Sequence, residues 1–389
     1  MRFKVQTLNI ISARGLERLP ADRYEVAPEM GHPDAILVRS ADMHAMQIPA
    51  SVLAVGRAGA GTNNIPVTLL SQRGVPVFTA PGANANAVKE LVLAGILIAA
   101  RHICEAWDFV RGLDLNGDEL EKAVEQGKKR FIGHELPGRT LGVVGLGAIG
   151  VEVANAAHLL GMRVLGYDPQ ITVQRAWQMS SGVEQALSLD DLFARSDAVT
   201  VHVPLTEETR GLVNAGRLRH MKEGGTVLNF ARTDIIDEAA VVAALQSGKL
   251  GAYVCDFPSA AIRGVSGVVA LPHLGASTSE AEENCAMMVA DTLRDYLEHG
   301  NIRHSVNFPE AALPRAPKTA RIAIANSNVP NMVGQISTRL ADAGLNIADL
   351  LNKSKGEVAY TLIDIDGKVP AGLVERIGSI QGVLSARVV

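Results

Sequence analysis

The sequence is poor in cysteine, has no excess of basic residues and contains no long apolar run. Its 389 residues include three cysteines, Cys104, Cys255 and Cys285, which lie far apart in the chain. Their number and spacing exclude a disulfide scaffold and match no cysteine metal site, and they suit a reducing compartment. The formal net charge of -4 argues against nucleic acid and anionic membranes as partners.

The chain also lacks a segment that would direct it to a membrane. The longest apolar run, residues 91–100, is about half as long as a bilayer-spanning helix and predicts a buried helix instead. The start of the chain has neither the apolar core nor the small-residue cleavage site of a secretory signal peptide. We therefore expect a cytoplasmic globular protein of two or three domains without a metal centre.

The most informative stretch is residues 140–168. An apolar run leads into Gly145, Gly147 and Gly150, and a helix-like segment and a second apolar run then end at Asp168. This order is typical of a dinucleotide-binding βαβ unit, in which the glycines allow a tight turn, approach of the pyrophosphate and close helix packing. Asp168 would bind the ribose diol and repel a 2′-phosphate, which predicts NAD rather than NADP. The alternative is an ordinary βαβ turn without a ligand.

Strand-like and helix-like runs alternate through most of the chain. They predict an α/β fold with two doubly wound parallel-sheet (Rossmann-like) domains. The helix-like segment 279–297 leads back toward the first domain, which is therefore expected to be discontinuous. Besides the two runs of the glycine motif, the strand-like runs of this part are 4–8, 35–38, 52–55, 75–78, 198–203, 226–230, 252–255 and 268–270.

The end of the chain has a different organisation. Residues 307–318 contain three prolines and predict a linker. Beyond it, five elements in the order strand, helix, strand, helix, strand predict a small α+β domain. The expected divisions are a substrate-binding domain at 1–97 and 283–308, a nucleotide-binding domain at 98–282, a linker at 309–318 and a C-terminal domain at 319–389.

Two basic positions in the first domain suggest anion binding. Arg57 follows a strand-like run and precedes Gly59, Gly61 and Asn63, so that several backbone N–H groups and a guanidinium could converge on one anion. The alternative is a flexible turn with a solvated arginine. Arg39 also follows a strand-like run and is a candidate second contact, although alone it would be an ordinary surface charge.

Polar residues follow the predicted strands of the nucleotide-binding domain. His202, Arg232, Asp256 and His273 all lie where a strand ends. In a doubly wound sheet these ends line the cofactor crevice. His273, between a proline and a glycine-containing turn, is the candidate acid or base, whereas a histidine in general is more often structural.

Several blocks resemble the D-2-hydroxyacid dehydrogenase family. They cover nearly the whole chain in the family's order and read GRAGAGTNNIPV, TAPGANANAVKEL, LPGRTLGVVGLGAIG, VHVPLTEETRGLVN, LNFARTDIIDEAAVVAAL, LPHLGASTSEAEEN and VNFPE. The resemblance implies that Arg232 binds and polarises the substrate's carboxylate and keto group and that His273 is the acid/base. The implied substrate loop consists of Arg57, Gly59, Ala60, Gly61 and Asn63. The implied cofactor contacts, added to the three glycines, are Ala148, Ile149, Asp168, His202, Val203, Pro204, Phe230, Ala231, Asp256, Gly275 and Ala276.

The last seventy or so residues resemble an ACT domain, through NSNVPNMVGQI and AGLNIAD. In family members that carry this domain, two copies pair and L-serine binds between them as a feedback inhibitor. The matching positions are Asn328 and Asn346. Asn326 stands where some relatives have histidine, which puts serine sensitivity in question.

The chain departs from the family at two functional positions. Ala148 replaces an arginine that relatives often carry in the glycine turn, and Ala260 replaces a glutamate that pairs with the catalytic histidine in most relatives. An adjacent carboxylate stabilises and orients an imidazolium ring, so we expect the change at Ala260 to favour the neutral ring of His273.

The resemblance implies NAD-dependent oxidation of D-3-phosphoglycerate to 3-phosphohydroxypyruvate, the entry to serine synthesis, by a homo-oligomer, either a dimer or a tetramer. One alternative is a dehydrogenase for another D-2-hydroxyacid, such as glycerate, lactate or 2-hydroxyglutarate. Another is a catalytically silent NAD-binding sensor whose ACT domain detects an amino acid. Ala260 favours the sensor, and the retained Arg232 and His273 favour the enzyme.

Overall fold

The computed structural model of the protein describes residues 2–316 and 318–389. It contains two compact units, one made of the chain up to Ala83 together with Ser279–Val389, and one made of Asn84–Thr278. The units therefore change at 83/84 and 278/279, whereas the expected functional domains change at 97/98 and 282/283. Pro317, within the predicted linker, lies outside the described residues.

Strands and helices follow the predicted alternation. The strands are β1 Phe3–Leu8, β2 Tyr24–Ala27, β3 Ala35–Val38, β4 Ala54–Arg57, β5 Val77–Phe78, β6 Thr140–Val144, β7 Arg163–Tyr167, β8 Val183–Gln185, β9 Ala198–Val201, β10 Gly225–Asn229, β11 Leu250–Cys255, β12 Val268–Ala270, β13 Thr319–Ser327, β14 Ile347–Lys355, β15 Val358–Asp366 and β16 Val383–Val388. The helices are α1 Ala13–Leu16, α2 Val67–Gln72, α3 Ala85–Arg101, α4 Ile103–Arg111, α5 Gly117–Gly127, α6 Ala148–Leu159, α7 Val173–Gln178, α8 Leu189–Arg195, α9 Ala215–Leu218, α10 Glu238–Gln246, α11 Ser279–His299, α12 Met332–Asp342 and α13 Leu373–Gly378, with short 3₁₀ turns at Lys128–Phe131 and Thr233–Ile235.

The second unit has the sheet that the glycine motif predicts. Its seven strands lie in the order β12-β11-β10-β9-β6-β7-β8, and all neighbours are parallel. The chain starts in the middle at β6, winds outward on one side and returns to wind outward on the other. The carboxyl ends of β6 and β9 thus flank the topological switch point, where open α/β sheets bind ligands.

The first unit contains a second parallel sheet, with five strands in the order β2-β1-β3-β4-β5. The central strand β3 is buried along its whole length, because its sequence AILV is apolar on both faces. This order also has a switch point, between β1 and β3, and so confirms the prediction of two doubly wound sheets.

The C-terminal module of the first unit, from β13 onward, is α+β as predicted but has an extra strand. Its antiparallel sheet has the order β14-β15-β13-β16. The sequence pattern predicts no strand between the helix α12 and β15, and β14 corrects that expectation. β14 is an edge strand whose side chains are mostly exposed, so it lacks the apolar alternation by which a strand is recognised.

The two faces of this module's sheet are both covered within the first unit. α12 and α13 pack on one face around Ile324, Ile336 and Leu373. On the other face, Tyr360 and Leu362 belong to the same apolar core as residues of the parallel sheet and of α11.

A buried ion pair fixes the module at this junction. Arg321 and Asp364, both fully buried, form two hydrogen bonds of 2.6 and 2.8 Å. The remaining guanidinium nitrogen donates to the carbonyls of His299 and Leu313 at 3.1 and 2.8 Å. Removing one partner of such a buried pair costs about 3–5 kcal/mol, because the other charge is left unpaired.

The apolar run at residues 91–100 lies in α3, as predicted, where it buries Val92 and Ile96 against the sheet of the second unit. Among the described residues, no helix combines the length and the apolar character that crossing a membrane would require.

Candidate active site

The glycine turn after β6 has the geometry that dinucleotide binding requires. Gly145 has a φ of +89°, and a Cβ there would lie 2.9 Å from the carbonyl oxygen of His202. A Cβ on Gly150 would lie 1.9 Å from the carbonyl oxygen of Gly145, so α6 can pack here only with glycine. At Gly147 a Cβ would meet nothing, and this open side, at the N-terminus of α6, suits the approach of a pyrophosphate.

Asp168 lies at the carboxyl end of β7, next to this turn. One carboxylate oxygen accepts a hydrogen bond from the backbone N–H of Leu146 at 2.8 Å, and the other accepts one from Gln170 at 2.9 Å. The Asp168 carboxylate therefore holds the glycine turn through the backbone of Leu146. The predicted residues Ala148 and Ile149 form the first turn of α6, directly beside it.

His202, Val203 and Pro204 follow β9 on the other side of the switch point. The backbone N–H of His202 donates to Val144 at 2.7 Å, and its ring Nε2 lies 2.9 Å from the hydroxyl of Thr200. Burial lowers the pKa of His202 to about 3, so its ring is neutral at physiological pH. The second ring nitrogen, Nδ1, is buried and has no partner within the described residues. It is free to bond a ligand group.

The turn after β10 carries Phe230, Ala231 and Arg232. Asn229, fully buried, accepts from the N–H of Ala231 at 3.1 Å and donates to the carbonyl of Arg232 at 2.9 Å. The exposed guanidinium of Arg232 donates to the carbonyl of Ala231 at 2.6 Å. Asn229 was not among the site residues predicted from the sequence. Its signal was an amide residue at the end of an otherwise apolar strand.

Asp256, at the end of β11, holds the turn that bears His273. Its carboxylate is buried, and its oxygens accept from the N–H groups of Leu274 and Gly275, each at 2.7 Å. Its carbonyl accepts from the N–H of His273 at 3.1 Å. Both carboxylate oxygens are thus engaged with the protein backbone, whereas the resemblance implies a cofactor contact for Asp256. That contact, like those of Gly275 and Ala276, stays a prediction.

His273 has a left-handed backbone, with φ of +58°. Its ring lies 5.1 Å from that of Phe257, centroid to centroid, at an interplanar angle of 58°. In the described part of the chain no carboxylate forms an ion pair with His273. The nearby segment that carries Ala260 is anchored instead by Ser259, whose hydroxyl donates to Glu238 at 2.8 Å.

The predicted anion loop lies in the first unit, after β4. Arg57 donates from Nε to the side-chain oxygen of Asn64 at 3.0 Å. A Cβ on Gly59 would lie 2.6 Å from the Arg57 guanidinium, so glycine lets the arginine fold back over its own loop. The predicted residues Ala60, Gly61 and Asn63 are in the same loop. The carbonyl of Asn63 lies 3.1 Å from the ring Nε2 of His44.

Asn64 connects the two predicted arginine positions and was not itself predicted. It is buried, and its amide donates to the carbonyls of Ala41 at 2.8 Å and Arg39 at 3.3 Å. The Arg39 guanidinium pairs with Glu282 of α11. Its charge is therefore compensated by a carboxylate of the same unit.

No group of three or more metal-binding side chains occurs among the described residues. The site consists instead of turns at the carboxyl ends of β6, β7, β9, β10 and β11, all on one edge of one parallel sheet. Such an edge can bind a dinucleotide and place an arginine and a histidine beside it.

Comparison with known proteins gives consistent matches. Residues 93–275 match the family model "D-isomer specific 2-hydroxyacid dehydrogenase, NAD binding domain". A D-3-phosphoglycerate dehydrogenase of Haemophilus influenzae is 30% identical over 399 residues, which cover 100% of this chain and 88% of the relative. Those of Archaeoglobus fulgidus and Synechocystis are 37% and 34% identical, over 78% and 94% of this chain. The chain spans 58% and 65% of their lengths.

Solved structures agree at the level of the fold. A D-mandelate dehydrogenase of Rhodotorula graminis superposes with a TM-score of 0.68 at 24% identity, covering 81% of this chain and all of the other. An NAD⁺-bound 3-phosphoglycerate dehydrogenase of Entamoeba histolytica gives 0.60 at 24% identity, covering 79% of this chain and 99% of the other.

Proposed function

Because the chain belongs to the D-isomer specific 2-hydroxyacid dehydrogenase family, we propose that it oxidises D-3-phosphoglycerate to 3-phosphohydroxypyruvate with NAD, the first step of L-serine biosynthesis. The observation that carries the proposal is the pair of clamped turns on one sheet edge. Asn229 fixes the turn of Arg232, and Asp256 fixes the turn of His273. A protein that only bound the dinucleotide would not require the arginine and the histidine that these turns carry.

The glycine turn fits NAD. Gly147 leaves the space, the N-terminus of α6 supplies the N–H groups for the pyrophosphate, and Asp168 lies where a ribose diol would bind. NAD supplies the hydride acceptor when it is bound. The protein contributes the remaining steps, which are binding, orientation and proton transfer.

Two side chains perform those steps. Arg232 binds the substrate carboxylate through a charge-assisted, forked hydrogen bond and thereby orients C2. The neutral His273 imidazole takes the proton of the C2 hydroxyl as the C2–H bond breaks and its hydride leaves. In the reverse direction the protonated ring returns that proton to the carbonyl oxygen. Arg57 is proposed to bind the phosphate.

The substrate assignment predicts a strong preference for the phosphorylated acid. We expect kcat/KM for D-3-phosphoglycerate to exceed that for D-glycerate at least about 100-fold, since a cationic site loses its charge partner without the phosphate. Arg57→Gln should remove most of this preference. Arg14→Gln, at an exposed arginine of the same unit, should preserve it. Equal or better turnover of glycerate, lactate or 2-hydroxyglutarate by the unchanged protein would assign it to another D-2-hydroxyacid.

We also propose that the protein is a homo-oligomer, on the basis of α4. No residue of this helix is buried, and Ile103, Trp107 and Val110 form an apolar stripe with 47%, 59% and 52% exposure. Trp107→Glu should lower the molar mass measured by light scattering. Trp177→Glu, at a tryptophan of α7 with 85% exposure, should leave it unchanged. An unchanged mass for Trp107→Glu would move the interface elsewhere.

We propose L-serine as an effector that needs two copies of the C-terminal module. Asn328 bonds to the carbonyl of Gly356 and Asn346 to the carboxylate of Asp366. These contacts lie at opposite ends of the nine-residue pairing of β13 with β15, about 25–30 Å apart. One chain therefore does not bring the two asparagines together. Asn346→Ala should abolish serine binding in calorimetry. Retained binding would refute this site.

The three cysteines are free, and burial raises the pKa of each thiol. Protonated thiols are poor nucleophiles, so none of the three is a candidate catalytic residue. The absence of a disulfide between them is in line with the cytoplasmic location that we propose.

A further inference from the structure

A cavity of about 200 Å³ lies inside the first unit, between strand β16 of the C-terminal module and the parallel sheet. Arg73, Gly74, Tyr296, Tyr360, Ser385 and Arg387 contribute to its lining. This volume is many times what one water molecule requires. No acidic residue belongs to the lining.

The two arginines of the lining are bonded only to neutral groups. Arg73 donates to the carbonyls of Ile48 and Pro49 at 3.0 and 2.7 Å. Arg387 donates to backbone carbonyls of α11 and lies 4.6 Å above the ring of Tyr296. In the part of the chain that the structure describes, neither guanidinium forms an ion pair with a carboxylate.

One donor of the cavity has no partner at all. The Nε of Arg387 is buried and makes no hydrogen bond within the described residues. A buried donor left unsatisfied is destabilising and is rare in folded proteins. Together with two uncompensated positive charges, it indicates a ligand with a negative charge and acceptor oxygens.

We propose that this cavity binds a small anion, a carboxylate or a phosphate, and that the bound anion stabilises the packing of the C-terminal module on the parallel sheet. The ligand would contact both sides of the junction, since Arg73 belongs to the sheet side and Arg387 to the module. This site is separate from Asn328 and Asn346, and it is complete within one chain. It does not depend on the proposed reaction.

The test is thermal unfolding with inorganic phosphate or acetate at constant ionic strength, so that general screening stays the same. Arg57→Gln serves as the background, because phosphate at the proposed substrate loop then contributes little. At ten times its Kd, the anion should raise Tm by about 3 °C. Arg387→Gln should abolish the rise, and Arg339→Gln, at an exposed arginine of the same module, should retain it.

A second variant supplies a carboxylate of its own. Ser385 and Arg387 lie two residues apart on β16 and so face the same side of the strand. Ser385→Asp gives up the bond from the Ser385 hydroxyl to the carbonyl of Gly74, and its carboxylate should remove the response to phosphate. A phosphate response that survives in both Arg387→Gln and Ser385→Asp would overturn the proposal. So would the absence of any response to either anion in the parent protein.

Discussion

His273→Asn should lower kcat by about 10²–10⁴-fold, the range that general acid–base catalysis contributes, and should leave NADH affinity nearly unchanged. Asparagine is the informative replacement because position 273 has φ of +58°, a conformation that asparagine adopts more readily than alanine. The Asp256 clamp bonds the backbone and is retained, so the change removes the ring and keeps the turn. Steady-state reduction of 3-phosphohydroxypyruvate and NADH titration would measure the two effects.

His304→Asn is the matched control for this experiment. It replaces another histidine of left-handed backbone, with φ of +57°, in the first unit, where it has no proposed part in the chemistry. Its kcat should equal that of the unchanged protein. If the unchanged protein binds NADH but reduces neither 3-phosphohydroxypyruvate nor unphosphorylated 2-oxoacids, the loss of the acid at Ala260 was decisive and the protein is a sensor.

The structure indicates how His273 can be oriented without a carboxylate. Phe257 packs against one side of its ring, and the segment after Phe257 is held by the bond from Ser259 to Glu238. Aromatic packing restrains a ring by shape, whereas a carboxylate also stabilises its positive charge. Packing against Phe257 thus restrains the ring, and in the described part of the chain no ion pair to a carboxylate is needed to place it.

The sequence predicted the geometry of the glycine turn because that geometry is local in sequence. Gly145, Gly150 and Asp168 act within one βαβ unit, and their spacing alone constrains the turn. The polar residues at the strand ends could also be predicted from the sequence, since apolar strands are easily recognised and their carboxyl ends share one edge of the sheet. The roles of two buried asparagines could not be predicted. Asn64 and Asn229 become functional only through bonds to backbone groups whose position depends on the folded turn.

The strands that the sequence did not predict have a common physical cause. β2, β8 and β14 are each at the edge of a sheet, and most of their side chains are partly or fully exposed. An edge strand buries little apolar surface, so its sequence carries a weak hydrophobic pattern. The junction of the C-terminal module with the parallel sheet was hidden for a related reason. Arg321 and Asp364 resemble surface charges in the sequence, although they are fully buried.

Arg232→Lys should lower kcat/KM for D-3-phosphoglycerate by about 10²–10³-fold, nearly as much as Arg232→Gln, since lysine keeps the charge but loses the planar fork that binds a carboxylate in two places. The turn should survive, because Asn229 bonds to backbone groups and not to the Arg232 side chain. Arg263→Lys, at an exposed arginine of the same unit, is the matched control and should leave kcat/KM unchanged.

Initial rates over a range of substrate concentrations separate the effect of Arg232→Lys on KM from its effect on kcat. A rise in KM alone would mean that Arg232 only binds the carboxylate, whereas a fall in kcat as well would mean that it also stabilises the developing carbonyl. Full activity of Arg232→Lys would show that the fork is not used and that a simple positive charge is enough.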